Sequence, residues 1–349
     1  MNKGRNIFSG IKNILHSSTL IIPLIAVLFL ILIIFILSDT PGRTLYFFFI
    51  GPFRNLFNFG NMLNASIPYI FGALGIIIAI KAGHLNLGGE GQVYLGAFIT
   101  LITALVFDTF GIIGTIVAVT VGVFSAGSIS AFSGFFKAKW NTNELITTFL
   151  VSCAVIPVID YFITGPFLDQ ETSLLSTKKI TDNMRLSLIL KPSGLSSGIF
   201  IALVFVVIVW YFLYKTKTGY EFRMAGHNEM FARYGGIDTK RNTVTALFLS
   251  GCLYGFAGSI AVVGTHYSVI KDFSSGLGWS GLTAALIAGF SPSAVIPCAV
   301  FLAWINSGAR IAMQNTGFTF EVAYIVQAVI FFLSTSSFIK NSFISRRKI

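Results

Sequence analysis

Residues 19–37 form an apolar run without one charged side chain, and that run limits what the chain can become. A helix needs about 20 residues to cross a hydrocarbon core of roughly 30 Å, and several more apolar runs of similar length follow. A soluble fold could hide one such helix but not so many. Composition agrees: 54% of residues are hydrophobic and 11% charged, whereas a soluble domain carries about 25% charge. Mean hydropathy is +0.81. The runs are continuous, while membrane strands alternate in polarity over about ten residues, and helices satisfy their own backbone hydrogen bonds in lipid. The fold class is therefore all-α, a polytopic transmembrane helical bundle.

The net charge of +11 reads as membrane orientation rather than nucleic-acid binding, because the basic residues gather at the ends of apolar segments. Cys153, Cys252 and Cys298 lie in apolar stretches without metal-like or paired spacing and read as inert thiols. Lys3, Arg5 and Lys12 precede the first apolar run. That run is too long for a signal-peptide core and no small-residue cleavage pattern follows it, so a retained first helix with a cytoplasmic N-terminus is expected.

The whole chain, 1–349, reads as a single transmembrane domain. About 10 crossings are expected, near 19–38, 62–80, 86–107, 111–136, 144–163, 198–214, 243–264, 276–291, 293–311 and 320–338. An inside N-terminus then places Lys81, Lys137, Lys139, the 215–242 loop and the tail Arg346, Arg347 and Lys348 in the cytoplasm, so both termini are cytoplasmic. On the other side, 38–61 carries Tyr46-Phe47-Phe48-Phe49, expected at the membrane interface. The 164–197 segment, with Pro166, Pro192 and charges of both signs, reads as an ordered external loop, either a connector or a docking place for a solute-delivering protein. A faint internal echo links 89–97 with 278–288; transporters are often built from repeats with the substrate site between them.

The stretch 83–92, Gly-His-Leu-Asn-Leu-Gly-Gly-Glu-Gly-Gln, separates two apolar runs but is too short and glycine-rich for an ordinary loop. Each of its glycines weakens a helix by about 1 kcal/mol relative to alanine. A broken or re-entrant helix is expected there, with backbone groups free to face a cavity. Asn86, Glu90 and Gln92 would then stand at the solute pathway. A carboxylate within a membrane segment costs about 2.5–3.5 kcal/mol on insertion scales, so it faces protein or water. Glu90 either meets solute or holds the broken backbone by accepting amide hydrogen bonds. His84 reads as a membrane-boundary residue with no ligand or proton-carrying role.

In the 215–242 loop, Asn228 is suited to cap a helix, Glu229 to its first turn, and Gly235 or Gly236 to its end. The two turns between them place Met230 and Tyr234 on one face, flanked by Phe231. A short capped helix with an exposed apolar face fits a groove on another protein. The alternative is a helix lying on lipid, which Lys215, Lys217, Arg223, Arg233, Lys240 and Arg241 would also favour. The coupling segment is therefore read as Asn228, Glu229, Met230, Phe231, Ala232, Arg233, Tyr234 and Gly235. Asn143 is expected to cap the helix that follows it, and Asp160, Arg310 and Glu321, near helix ends, to have solvated or interface roles rather than transport roles.

Residues 82–92 resemble the "AGxxNxGxEGQ" signature of bacterial ABC importer permeases, in the branched family of ribose, simple-sugar and nucleoside carriers. Asn143-Glu144-Leu145-Ile146-Thr147-Thr148 is similar to the "NEVIxT" motif of the nucleoside branch. The 226–237 loop resembles its coupling helix, "GxNxxAAxxxGI", and 278–286 its late "GxGIAVALLG" element. The four occur in family order across about 60–340. Phe231 and Ala232 stand where paired alanines are common, which alters the fit to an ATPase. Trp279 and Thr283 replace small or aliphatic residues, which bears on solute preference.

The resemblance implies a multi-pass subunit of the bacterial cytoplasmic membrane that imports a nucleoside or, as the alternative, a ribose- or galactose-type sugar. It implies a separate ABC ATPase carrying ATP and Mg, a second permease subunit in a heterodimer, and an extracytoplasmic solute-binding protein. The chain itself has no Gly-x-x-x-x-Gly-Lys-Ser/Thr phosphate loop and is not expected to be an enzyme: a His-Glu-x-x-His motif is also missing. An ion-coupled secondary transporter using Glu90 is the competing mechanism; it would leave the capped loop helix without a role.

Overall fold

A computed structural model describes residues 18–346, all helical and irregular with no β-strand among them. The basic residues Lys3, Arg5, Lys12, Arg347 and Lys348, on which the expected placement of the termini leaned, lie outside the described residues. The helices are α1 Ser18–Leu37, α2 Pro41–Phe49, α3 Leu56–Lys81, α4 Gly89–Val106, α5 Gly111–Trp140, α6 Glu144–Thr164 and α7 Gly198–Lys215. They continue as α8 Lys217–His227, α9 Glu229–Tyr234, α10 Thr239–Ala261, α11 Leu277–Ile287, α12 Val295–Thr316 and α13 Glu321–Arg346.

Among the described residues, seven helical stretches are long and apolar enough to cross a membrane: Leu56–Lys81, Gly89–Val106, Asp108–Trp140, Glu144–Thr164, Gly198–Lys215, Thr239–His266 and Pro292–Thr316. The chain is thus a multi-pass helical membrane protein. The stretches expected at 19–38, 276–291 and 320–338 contain shorter apolar helices. The clearest departure is α11, only eleven residues long, or about 16 Å at 1.5 Å per residue. Gly276 (φ +85°) and Gly289 (φ +59°) turn the chain at its two ends, a conformation glycine adopts without steric cost.

Polar side chains fix several starts. Asn55 caps α3 by accepting from the Asn58 N–H at 2.7 Å, Asn143 caps α6 from Leu145 at 3.0 Å, and Asp238 caps α10 from Arg241 at 3.0 Å. α3 and α10 form the centre, with 78% and 83% of their apolar stretches buried, against 22% for the peripheral α6. Small residues permit this. A Cβ on Gly96 would lie 2.7 Å from the Gly255 Cα, and one on Gly281 would lie 2.8 Å from the Gly72 Cα. Close backbone approach of this kind is a principal source of packing energy between membrane helices, where lipid offers no hydrophobic drive.

The sequence echo acquires a spatial meaning. Glu90 in α4 and Gly278 in α11 meet near Tyr254, midway along α10, while Gly281 meets Gly72 well inside α3. From that level α4 runs toward the 164–197 end and α11 toward the opposite end. The two helices therefore start together, near mid-depth, and diverge.

Between α6 and α7, 164–197 is ordered by backbone hydrogen bonds to the segment after α10: Thr177 to Val269, Ile180 to Tyr267 and Leu186 to Val263. Segment 38–61 differs from the expected interfacial loop, because it contains α2. Phe48 is fully buried, and Phe49 meets Trp304 edge-on at 5.4 Å. Half of that aromatic run packs inward on α12 rather than facing the interface.

Candidate functional site

The break between α3 and α4 occupies residues 82–88, with Gly83 at φ +86°. Asn86 is fully buried, and its amide nitrogen lies 2.8 Å from Gln92 Oε1, 3.1 Å from Ser130 Oγ and 3.0 Å from Ser250 Oγ. Its Oδ1 accepts from Gln92 Nε2 and from the Gly88 N–H, both at 3.0 Å. One side chain thereby ties the irregular segment to α4, α5 and α10. Such a network rigidifies a buried site when its members are satisfied.

The free N–H groups around the start of α4 find hydroxyls on α6: Leu87 donates to Thr148 Oγ1 at 3.1 Å and Gly91 to Ser152 Oγ at 2.7 Å. The start of α11 is capped from α4. Glu90 Oε1 accepts from the Gly278 N–H at 2.9 Å and the Trp279 N–H at 3.2 Å. A carboxylate at a helix N-terminus satisfies unpaired donors and opposes the positive end of the helix dipole. Of the three residues expected at a pathway, Asn86 and Gln92 are therefore buried and paired with each other, while Glu90 is half-buried and bridges two helices. The space enclosed by Asn86, Leu87, Glu90, Tyr254, Trp279 and Leu282 is about 10 Å³, too small for a sugar or a nucleoside.

His84 has more to do than its sequence position implies. Its Nε2 lies 2.9 Å from Thr243 Oγ1 on α10, and its Nδ1 lies 3.3 Å from Glu144 on α6. Glu144 also pairs with Lys137 of α5 at 3.2 Å. Asp160, expected in a solvated or interface role near a helix end, accepts the hydroxyl of the buried Tyr94 at 2.5 Å and so holds α6 to α4. Neither pairing has a local sequence signal, since 60 or more residues separate each pair.

The 215–242 segment folds as two helices rather than one. The Thr216 hydroxyl accepts from the Gly219 N–H at 3.1 Å and starts α8, while Phe222 anchors it by packing edge-on against Phe212 at 5.7 Å. The glycines of α8 mask this helix in the sequence but serve its docking. A Cβ on Gly226 would lie 2.3 Å from the Lys81 carbonyl oxygen and 2.9 Å from the Gly83 nitrogen. The end of α8 thus rests directly on the end of α3 and the start of the break.

Asn228 begins α9 as expected, accepting from the Phe231 N–H at 3.0 Å. Met230, Phe231 and Tyr234 are 64%, 62% and 85% exposed, whereas Ala232 is buried. Ala232 therefore faces inward and does not share the outward surface. Glu229 pairs with Arg233 at 2.9 Å along that surface. Gly235 donates to the Phe231 carbonyl at 3.0 Å and Gly236 takes the left-handed turn at φ +79°. Between α8 and α9 lies a groove of about 290 Å³, bordered by Tyr220, Glu221, Met224, Phe231 and Ile237. Among the described residues, no cluster of three or more His, Cys, Asp or Glu side chains is placed to hold a metal ion.

The family described as "branched-chain amino acid transport system / permease component" matches residues 58–335. The chain is 30% identical to the probable riboflavin import permease protein of Treponema pallidum, over 92% of this chain and 85% of the other. It is 28% identical to the guanosine ABC transporter permease protein of Bacillus subtilis, over 82% and 84%. It is 26% identical to a nucleoside ABC transporter permease protein of Lactococcus lactis, over 94% of each.

Proposed function

The chain belongs to the branched-chain amino acid transport system permease family, and from that premise we propose that it is the membrane subunit of an ATP-driven nucleoside importer. The observation that carries this reading is the exposed apolar face of α9, set on a helix pair that rests against the membrane break. A partner ATPase would grip Met230, Phe231 and Tyr234. Its nucleotide-driven movement would pass through α8 at Gly226 to Gly83, and from the break through Glu90 to α11. ATP and Mg belong to that partner, because this chain lacks the phosphate loop.

The solute class rests on the relatives. Their names give riboflavin, guanosine and nucleosides as solutes, which share a planar nitrogen heterocycle carrying a hydroxylated five-carbon unit. Orientation rests on charge. Lys81, Lys137, Lys139 and the basic residues of 215–242 gather at one end of the bundle, which is then the cytoplasmic end. With α1, α11 and α13 counted as membrane-embedded, ten segments enter the membrane, and α11 enters only partway. The 164–197 loop would receive an extracytoplasmic solute-binding protein, and a second, different permease would complete the pathway in the bacterial cytoplasmic membrane.

Deletion of this chain tests the reading. Uptake of labelled guanosine is expected to disappear and to return with the chain supplied in trans; unchanged uptake of both nucleoside and simple sugar would overturn it.

A further inference from the structure

Nearly all of α11 is covered by protein. Among its described residues every side chain is buried or half-buried except Trp279, which is 41% exposed. This tryptophan follows the Gly278 that meets Glu90, at the level where α4 and α11 begin, far from both ends of α3 and α10. Tryptophans that face lipid favour the membrane interfaces, where the indole N–H reaches water. A mid-depth indole beside a carboxylate does not fit that pattern.

The ring is held in position. Phe331 of α13 meets it edge-on, with centroids 6.4 Å apart at 83°. Tyr324, 45% exposed, approaches the start of α11, within 3.7 Å of where a Gly276 Cβ would lie. Tyr324, Ala328 and Phe331 fall at helical spacing i, i+4 and i+7 and share one face of α13. Ala328 is exposed, so a small residue separates the two rings beside Trp279. The indole thus stands exposed among aromatic neighbours, with Phe331 at a steep angle to it and the half-buried Glu90 carboxylate beside its backbone.

We infer that Trp279 is the stacking platform for the heterocycle of the transported solute, with Tyr324 and Phe331 bounding the slot; this rests on the nucleoside reading above. Every nucleobase offers a π-face, so stacking on an aromatic side chain binds the class without selecting one base. A simple sugar has no such face. A heterocycle therefore gains more from the indole than the C–H face of a sugar does, which favours heterocyclic solutes. The tryptophan stands outside the buried Asn86–Gln92 pair, whose groups are already paired with each other.

The test uses the assembled transporter in proteoliposomes, with labelled guanosine and labelled ribose as probes. Trp279→Phe keeps a ring; Trp279→Leu keeps apolar bulk and helix propensity without one. Stacking predicts a guanosine KM near wild type for W279F and raised about tenfold for W279L, with any ribose uptake unaltered by either change. Equal guanosine KM values for W279L and W279F would overturn the assignment. So would a parallel loss of guanosine and ribose transport in W279L while W279F stays intact. Failure of the wild-type transporter to carry guanosine would instead overturn the nucleoside reading itself.

Discussion

Glu90 Oε1 accepts the backbone N–H of Gly278 at 2.9 Å, joining positions 188 residues apart in the chain. The bond connects two helix starts near mid-depth, so the carboxylate holds together the place where the apolar pattern is interrupted in both halves. Replacing it with alanine leaves the first N–H groups of α11 without their acceptor in a protein interior. The expected loss of stability for Glu90→Ala is about 1–3 kcal/mol, seen as a lower unfolding temperature of the purified complex. Glu90→Gln retains an acceptor oxygen and is expected to recover at least half of that loss. Equal stability of E90A and wild type would remove the capping role.

Gly226 has no space for a side chain, because its Cβ would strike the Lys81 carbonyl. Gly226→Ala must push α8 off the end of α3. The expected outcome is loss of coupling: the complex still hydrolyses ATP, while solute uptake per ATP falls at least tenfold. Simultaneous measurement of phosphate release and uptake checks this, and an unchanged ratio would argue against transmission through this contact.

The outward face of α9 is expected to carry the partner contact. The few hot-spot side chains of an interface, often tyrosine and near its centre, each cost about 2 kcal/mol or more on truncation. The double variant Phe231→Ala and Tyr234→Ala is therefore expected to lower ATPase co-purification more than tenfold while membrane insertion persists. Arg233→Ala removes an exposed ion pair with Glu229, worth about 0–1 kcal/mol, and a long 3.5 Å hydrogen bond to Thr239 Oγ1, and is expected to change chain stability by no more than about 1 kcal/mol. Co-purification at wild-type level from F231A/Y234A would assign the α9 face to lipid instead.

Asn86 reaches α4, α5 and α10 with one side chain. Asn86→Ala would strand the Gln92 amide in a buried site, at an expected cost of about 1–3 kcal/mol. Asn86→Leu adds bulk without restoring a hydrogen bond and is expected to be no better. Stability of N86A at the wild-type level, measured by thermal unfolding in detergent, would contradict the network.

The parts of this fold with local causes were legible in the sequence. Apolar length marks the long helices, the Gly83–Glu90 region marks a break, and Asn143 and Asn228 mark helix starts because a capping side chain acts within three residues of itself. The 278–288 echo pointed to a second element like 89–97. What the sequence concealed depends on distant partners. The apolar stretch 276–291 reads as a crossing, but left-handed turns at Gly276 and at Gly289 and Phe290 reduce it to eleven helical residues. α8 is masked by Gly219 and Gly226, whose purpose is to fit against helices elsewhere. The pairing of His84 with Glu144 and Thr243, and of Tyr94 with Asp160, joins residues too far apart for any spacing rule. Likewise, the exposure of Trp279 appears only once its neighbours in α11 are buried.

The most direct test of ATP-driven import is uptake by the assembled transporter in proteoliposomes with ATP and ion gradients varied independently. Labelled guanosine should accumulate only when Mg and ATP are supplied to the ATPase side, and accumulation should persist when ionophores collapse proton and sodium gradients. Uptake that proceeds without ATP and vanishes with an ion gradient would contradict the account and return Glu90 to the role of an ion-coupling site.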